Sequence, residues 1–324
     1  MKSVLSVTSL LLVLLSTFPM GGVAVAQDLA PLSGLSALST SDIRNSAIAF
    51  VNTTSSPGLE GATLNVDDAQ RNSDQWRSSL GFTAEITLKD HIFNGYWGLG
   101  LVGGSLNDRI QLTADNGDPV KLDLRRDIIS LRGSAGLSFP INQHFKLRPF
   151  LTLAVSDVRT ISGVDGLRDS NNNLTTITFD TSAQMLSTTG SLDALFWYWR
   201  NNYRLDLSAH YNLIYTDSFS EDNPILDTYA WHQTAQLKSR ISGPTSLITS
   251  ARPWRWQAYA NHTNFLRQDK KALGYTGLFE IGAGLEWQLN VKPLDWFGWQ
   301  YIGFSAGLIT SRNVEGFNVG LTAR

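Results

Sequence analysis

The chain has 324 residues, with 26 Lys and Arg set against 28 Asp and Glu, a formal net charge of −2 and no cysteine. Near-neutrality excludes the basic face of a nucleic-acid binder, and the absence of thiols excludes disulfides and thiolate metal sites. Only 17% of residues are charged, against roughly 25% in soluble domains, yet past the N-terminus no run reaches the ~20 apolar residues of a spanning helix.

In chain order, residues 1–26 come first, with Lys2, an apolar stretch from Val4 to Leu15, helix-breaking Pro19, Gly21 and Gly22, and Ala-Val-Ala before Gln27. This is the layout of a secretory signal cleaved near Ala26, and the apolar run is too short for an anchor helix. Residues 27–43 follow, with Leu29, Leu32, Leu35 and Leu38 at every third position and Pro31 and Gly34 between them.

From residue 44 to 324 the pattern is period two. "YRLDLSAHYNLIY" (203–215) sets Tyr203, Leu205, Leu207, Ala209, Tyr211, Leu213 and Tyr215 against Arg204, Asp206, Ser208, His210 and Asn212. Strict alternation predicts a β-strand with one apolar and one polar face. The same alternation runs through 128–141, 229–241, 274–289 and 315–324. Candidate strands begin near Asn45, Trp76, Gly95, Ile128, Phe145, Thr189, Tyr203, Asp227, Ala251, Tyr275, Trp299 and Val314, which makes twelve. "SLDALFWYWR" (191–200) is apolar on both faces after Asp193 and requires a bulge or a partly packed lumen.

Short connections at 142–144 and 201–202 alternate with long segments near 53–75, 105–127, 160–188, 217–226 and 265–274. A longer turn near 242–250 and a short loop near 311–313 break that rhythm. Tight turns at one end and long loops at the other are the build of an outer-membrane barrel. The expected fold class is therefore all-β, a transmembrane antiparallel up-and-down barrel of about 12 strands.

Aromatic residues separate lipid from core. Tyr203, Trp254, Trp256, Trp287 and Trp299 fall near the short-turn ends, and Tyr215, Tyr229, Trp231 and Tyr275 near the long-loop ends. Two such belts suit two membrane interfaces. A soluble barrel would crowd the ten Trp into one interior. Arg132, Arg204, Asp206, Ser208, His210, His232, Lys238, Arg240, Arg255, Glu280 and Glu286 then point into the lumen.

With signal, strand count, loop rhythm and the C-terminal "EGFNVGLTAR" in place, residues 44–324 resemble the solitary outer-membrane autotransporter-like β-barrel family. The chain ends Ala323-Arg324, where outer-membrane proteins usually end on an aromatic residue. The resemblance implies a monomeric integral barrel in the cell outer membrane. Its partners would be outer-membrane lipid, lipopolysaccharide and the barrel-assembly machinery, with no nucleic acid and no cofactor. The role it implies is structural, transport or surface interaction, with a porin-type diffusion channel as the alternative. Residues 27–43 then read either as a periplasmic tail or as a segment entering the lumen from below.

Chemistry has thin support. Asp206, Ser208 and His210 share one strand face, but at about 6.5–7 Å between successive same-face residues a relay is poorly aimed. "NHTNF" (261–265) is similar to the His-x-Ser-Asn of outer-membrane phospholipases, with Asn264 in the nucleophile's place and His262 on the lipid side. An outer-membrane hydrolase is thus the least supported reading, and no catalytic or metal residue is assigned. Asp108, Asp115, Asp118, Asp123, Asp127, Asp165, Asp169, Glu221 and Asp222 are expected as solvated loop charges beside lipopolysaccharide.

Overall fold

The structure, a computed structural model, describes residues 61–68, 71–88, 91–113, 119–168, 174–221, 229–250, 252–267, 275–289 and 301–323. The signal, residues 27–43, the expected strand at Asn45, Asp115, Asp118 and Trp299 lie outside them. The strands are β1 (Ala62–Asp68), β2 (Arg71–Thr87), β3 (Asn94–Thr113), β4 (Pro119–Asn142), β5 (Phe145–Arg168) and β6 (Leu174–Arg200). They continue as β7 (Tyr203–Glu221), β8 (Tyr229–Thr249), β9 (Arg252–Arg267), β10 (Gly277–Gln288), β11 (Tyr301–Ser311) and β12 (Val314–Ala323). Each pairs antiparallel with its sequence neighbour, and β1 pairs with β12, so the sheet is a closed twelve-strand barrel.

The turns at 143–144 and 201–202 mark what we term the lower end. Asn201 and Asn202 adopt φ of 48° and 68°, the doubly positive φ of a two-residue hairpin turn, which Asn tolerates because its short side chain bonds locally. Inward and outward residues alternate along the strands, interrupted by register shifts in the β4–β5, β5–β6, β6–β7 and β8–β9 pairs. On β7 the buried positions include Asn212, Ile214 and Thr216, while Leu207, Tyr211 and Leu213 are exposed on the outside.

Five expectations are corrected. Residues 105–127 and 160–188 are not long loops: β3 pairs with β4 up to Thr113 and Pro119, and β5 with β6 up to Arg168 and Leu174. The first described strand begins at Ala62, inside the segment expected as a loop. The turn expected over 242–250 is strand, because a register shift between Pro244 and Ile248 absorbs the proline that cannot donate to the ladder. Tyr275 is 3% exposed and packs edge-on against Phe265, 5.5 Å away; it precedes β10 and turns inward instead of joining an outer belt. Asp108 is not a loop residue; it is buried on β3, where it meets Arg126 of β4 at 3.3 Å.

Polarity changes with height. In the lower wall Leu80, Leu131, Leu151, Leu237 and Leu321 are exposed outward, and Ser130, Thr152, Ser156, Ser191 and Thr234 are buried inward. At the upper end the interior is mostly apolar, with the buried Arg126–Asp108 pair set into it. Leu106, Ile128, Val158, Ala183 and Met185 cluster on one side; Leu64, Val66, Phe265, Leu278, Ile309 and Val314 cluster on the other.

Candidate functional site in the barrel interior

The inner face of the lower half is laced by polar side chains, beginning with small hydroxyls and amides that pair across neighbouring strands. Ser134 and Thr152 lie 2.7 Å apart, Ser130 and Ser156 2.9 Å, and Ser187 and Thr216 2.8 Å. Asn212 accepts from Ser191 and donates to Thr234, and Gln236 donates to Thr263. Each of these hydroxyls and amides therefore has a partner, as buried polar groups generally do.

Other bridges run further, joining strands that are not neighbours. Lys146 Nζ on β5 donates to both carboxylate oxygens of Glu85 on β2, at 2.7 and 2.9 Å, passing over β3 and β4. Arg240 on β8 meets Glu286 on β10 at 3.5 Å, over β9. Asn318 on β12 donates to Glu280 on β10 at 2.9 Å, over β11. Side chains on non-neighbouring strands meet only through the interior of a closed barrel, so these six groups face the lumen.

Shorter contacts extend the bridges into two chains. Arg148 lies 3.6 Å from Glu85, donates to Asp193 at 2.5 Å and sits 4.3 Å over the Tyr96 ring; Asp193 in turn bonds His210. On the other side Arg204 meets Asp206 at 2.7 Å, and Asp206 meets Arg240 at 3.1 Å. Between the chains, Trp199 has Arg204 and Arg255 at 5.4 and 5.2 Å from its ring, and Arg255 donates to the backbone carbonyls of Asn202 and Ser242. Lys146 also lies 5.6 Å over Trp197. The stretch 191–200 pairs regularly on both sides, so Trp197 and Trp199 fill the lumen without a bulge.

Glycine makes room for the third bridge. Tyr259 donates to Glu280 at 2.9 Å and lies across β10 and β11. A Cβ at Gly282 would come within 2.4 Å of the tyrosine ring and one at Gly307 within 2.5 Å of its hydroxyl, so no larger residue fits under it. Arg132 lies over Gly100 in the same way.

Of the residues singled out from sequence, Arg204, Asp206, His210, Arg240, Arg255, Glu280 and Glu286 belong to these chains. Arg132, Ser208, His232 and Lys238 are inward positions on the same strands. The Asp206, Ser208 and His210 set does not come together as a relay: His210 turns to Asp193, and Asp206 to two arginines. Among the described residues no group of His, Asp and Glu is arranged to hold a metal ion. Of the aromatics, Tyr203 packs on Trp256 and Trp254 on Trp287 near the lower end, while Tyr215 packs on Trp231 and Tyr229 near the upper end. Glu85, Tyr96, Tyr259, Asn261 and Asn318 were missed. Glu85 was legible, since it alternates with Ala84 and Ile86 in "TAEIT".

No protein-family model matches the sequence, and no curated protein matches it. Solved structures do. The translocator domain of the autotransporter NalP from Neisseria meningitidis is 13% identical at a TM-score of 0.50, over 89% of this chain and all of that one. The fold is that of an autotransporter translocator barrel. The beta domain of the Bordetella autotransporter BrkA (14% identity, TM-score 0.45, 81% of this chain and 96% of that one) is also similar. So is the transport unit of AIDA-I from Escherichia coli (13%, 0.44, 86% and 96%). In this translocator-type barrel the Lys146–Glu85 and Arg240–Glu286 bridges lie in the lower half, and the Asn318–Glu280 bridge lies at the base of one apolar cluster, opposite Ala62 and Ile309.

Proposed function

We propose that the protein is an integral outer-membrane barrel, exported by a signal at residues 1–26 cut near Ala26, and that it works as a surface-interaction barrel with no open diffusion path. The observation that carries this is the set of bridges between non-neighbouring strands, Lys146 to Glu85, Arg240 to Glu286 and Asn318 to Glu280. A porin needs a clear water column, and these bridges narrow it from the wall. A twelve-strand lumen is intermediate between the side-chain-filled eight-strand barrels and the open porins. Residues 27–43 enter that lumen from the periplasmic side. The outward apolar band meets lipid, the aromatic pairs at its two ends meet the interfaces, and the monomer is inserted by the assembly machinery among lipid and lipopolysaccharide.

Conductance in planar bilayers tests the reading. The mature chain is expected to give small or no single-channel steps. Deleting residues 29–43 is expected to raise them while the folded form keeps its shifted mobility against the boiled form in a detergent gel. Large, steady porin-like steps from the intact mature chain would overturn it.

A further inference from the structure

The outer wall carries an imidazole where apolar side chains belong. The outward residues of β9 run Trp254, Trp256, Ala258, Ala260 and His262. His262 is exposed, and its cross-strand neighbours on that face are Leu237 of β8 and Phe279 of β10, both exposed. Its height follows from the two aromatic belts. Trp256 of the lower belt is six residues down β9, and Trp231 of the upper belt is six residues up β8 from Leu237. At about 3.3 Å per residue and the ~40° tilt of such strands, each belt lies roughly 15 Å away. His262 therefore stands at mid-height of the outward apolar band, and no hydrogen bond joins it to another described residue. Ionisable groups at that depth normally turn to a lumen or a partner, because hydrocarbon offers them neither donor nor acceptor.

Beside it the wall is hollowed. A groove of about 490 Å³ spans the outer face from β6 to β10. Its floor is made of small residues: Ala194 opposes Ala209, and Ser239 opposes Ala260. Phe196 stands at its β6 end and Phe279, next to His262, at its β10 end.

We propose that this groove seats a second copy of the chain, two barrels pairing side by side about a twofold axis along the membrane normal. The proposal rests on the membrane reading above; each barrel inserts singly and then pairs. What His262 lacks sets the occupant. A neutral imidazole presents one N–H and one lone pair, and a lipid chain can fill a groove but answers neither. A twofold axis brings the same patch to both sides, so each copy offers the other an imidazole and the Ser239 hydroxyl of the groove floor. Ser239 and His262 are diagonal neighbours on the outer face, about 7–8 Å apart, so a single contact reaches both. Leu237 protrudes between them, 61% exposed, as a knob for the partner's hollow. In lipid, burial of apolar surface supplies no drive, and association relies on small residues that allow close approach and polar side chains that bond across.

The chain has no cysteine, so one dye site can be placed at the lower turn as Gln143→Cys, away from the groove. Donor-labelled and acceptor-labelled mature barrels are mixed in liposomes, and resonance energy transfer is followed as lipid is added. Transfer is expected, falling with dilution to a measurable midpoint. His262→Leu is expected to move that midpoint about tenfold toward higher protein-to-lipid ratio, and Ala260→Trp, which fills the hollow, to abolish transfer. His262→Gln, which keeps a donor and an acceptor, is expected to stay within about threefold of the parent. Leu321→Ala, exposed on β12 away from the groove, is expected to change nothing. No transfer at any ratio, while the heat-shifted form persists, overturns the proposal. So does transfer that His262→Leu and Ala260→Trp leave unchanged. Lipid retained at one molecule per barrel by the parent and lost with Ala260→Trp, without transfer, would give the groove to a lipid chain and overturn it too. Absence of a heat-shifted form in the unsubstituted parent would instead overturn the membrane reading, and this proposal with it.

Discussion

The lower and upper halves of β4 and β5 keep the same register and the same inward parity, but they exchange polarity. On β4 the inward residues are Val120, Leu122 and Leu124 above and Ser130 and Ser138 below. The outward residues are Lys121, Asp123 and Arg125 above and Ile129, Leu131 and Leu137 below. Nothing in the backbone marks the change; β4 and β5 pair residue for residue through it. The outer medium explains it. Where the wall meets hydrocarbon, charge belongs inside; where it stands in water, apolar residues belong inside. At about 3.3 Å per residue the 27 residues of β6 span roughly 90 Å, against the ~9–11 tilted residues a bilayer requires, so much of β4, β5 and β6 projects.

If charge holds the lower interior together, breaking one buried pair there carries the largest effect. Asp193→Ala removes the acceptor of Arg148 and His210, and a stranded partner of a buried pair typically costs about 3–5 kcal/mol. Asp123→Ala, outward on the upper part of β4, is expected to stay within about 0.5 kcal/mol. Urea unfolding from liposomes checks both, and equal losses would erase the distinction between the halves.

A charge placed on the outer face discriminates next. Leu151 and Ile161 lie on the same outward face of β5, ten residues apart, with Leu151 62% exposed. Leu151→Arg is expected to cost roughly 2–4 kcal/mol, as cations do near the bilayer midplane. Ile161→Arg, in water, is expected to be near neutral. If both substitutions cost alike, the boundary between the halves has been drawn in the wrong place.

This exchange also explains what the sequence disclosed and what it hid. The strand count, the closed up-and-down topology and the lower halves were legible, because alternation such as 203–215 sets apolar against polar residues, with Ile214 the one exception. The upper halves of β3 to β6 alternate too, as in "VKLDLR", but with opposite polarity, until the buried Arg126 and Asp108 interrupt it. A reading that expects apolar residues outside takes their Lys, Asp and Arg as loop signals, so β4 was expected from Ile128 instead of Pro119 and β6 from Thr189 instead of Leu174. In the interior, the charged residues were readable from parity alone. Their partners were not: whether Asp206 meets His210 or Arg240 depends on the stagger of neighbouring strands, and the crossing from Lys146 to Glu85 depends on closure. Tyr275 was misplaced for a related reason, since parity says nothing of a residue that precedes its strand.

Adjacent isoleucines offer a finer probe. Ile128 is 5% exposed in the upper apolar cluster, and Ile129 is 54% exposed on the outer face. Ile128→Val is expected to cost about 0.5–1.5 kcal/mol, while Ile129→Val stays within about 0.5 kcal/mol. The same unfolding assay resolves the pair, and reversed costs would mean that the upper interior is not a packed core.

The smallest effect belongs to the outermost charges. Arg159 on β5 donates to Asp180 on β6 through Nη2 at 2.5 Å and Nε at 3.0 Å, on the outer face above the lipid-facing band. That hydrogen bond holds the Asp180 carboxyl below its ordinary value of 3.8. A carboxyl depressed on folding contributes stability above its ordinary value and loses it as pH falls through the lower, folded value. The pair is open to water and therefore weak, and salt screens it further. Hydrogen exchange in the β5–β6 hairpin is the suitable readout, because a local pair protects local amides more than it shifts global unfolding. Between about pH 5 and pH 2 the native hairpin is expected to lose slightly more protection than Asp180→Asn, which has no proton to take up there. At 1 M salt, where the Debye length shrinks to about 3 Å, the two curves are expected to converge. Parallel curves at low salt would show that this surface pair contributes nothing to holding the upper half together.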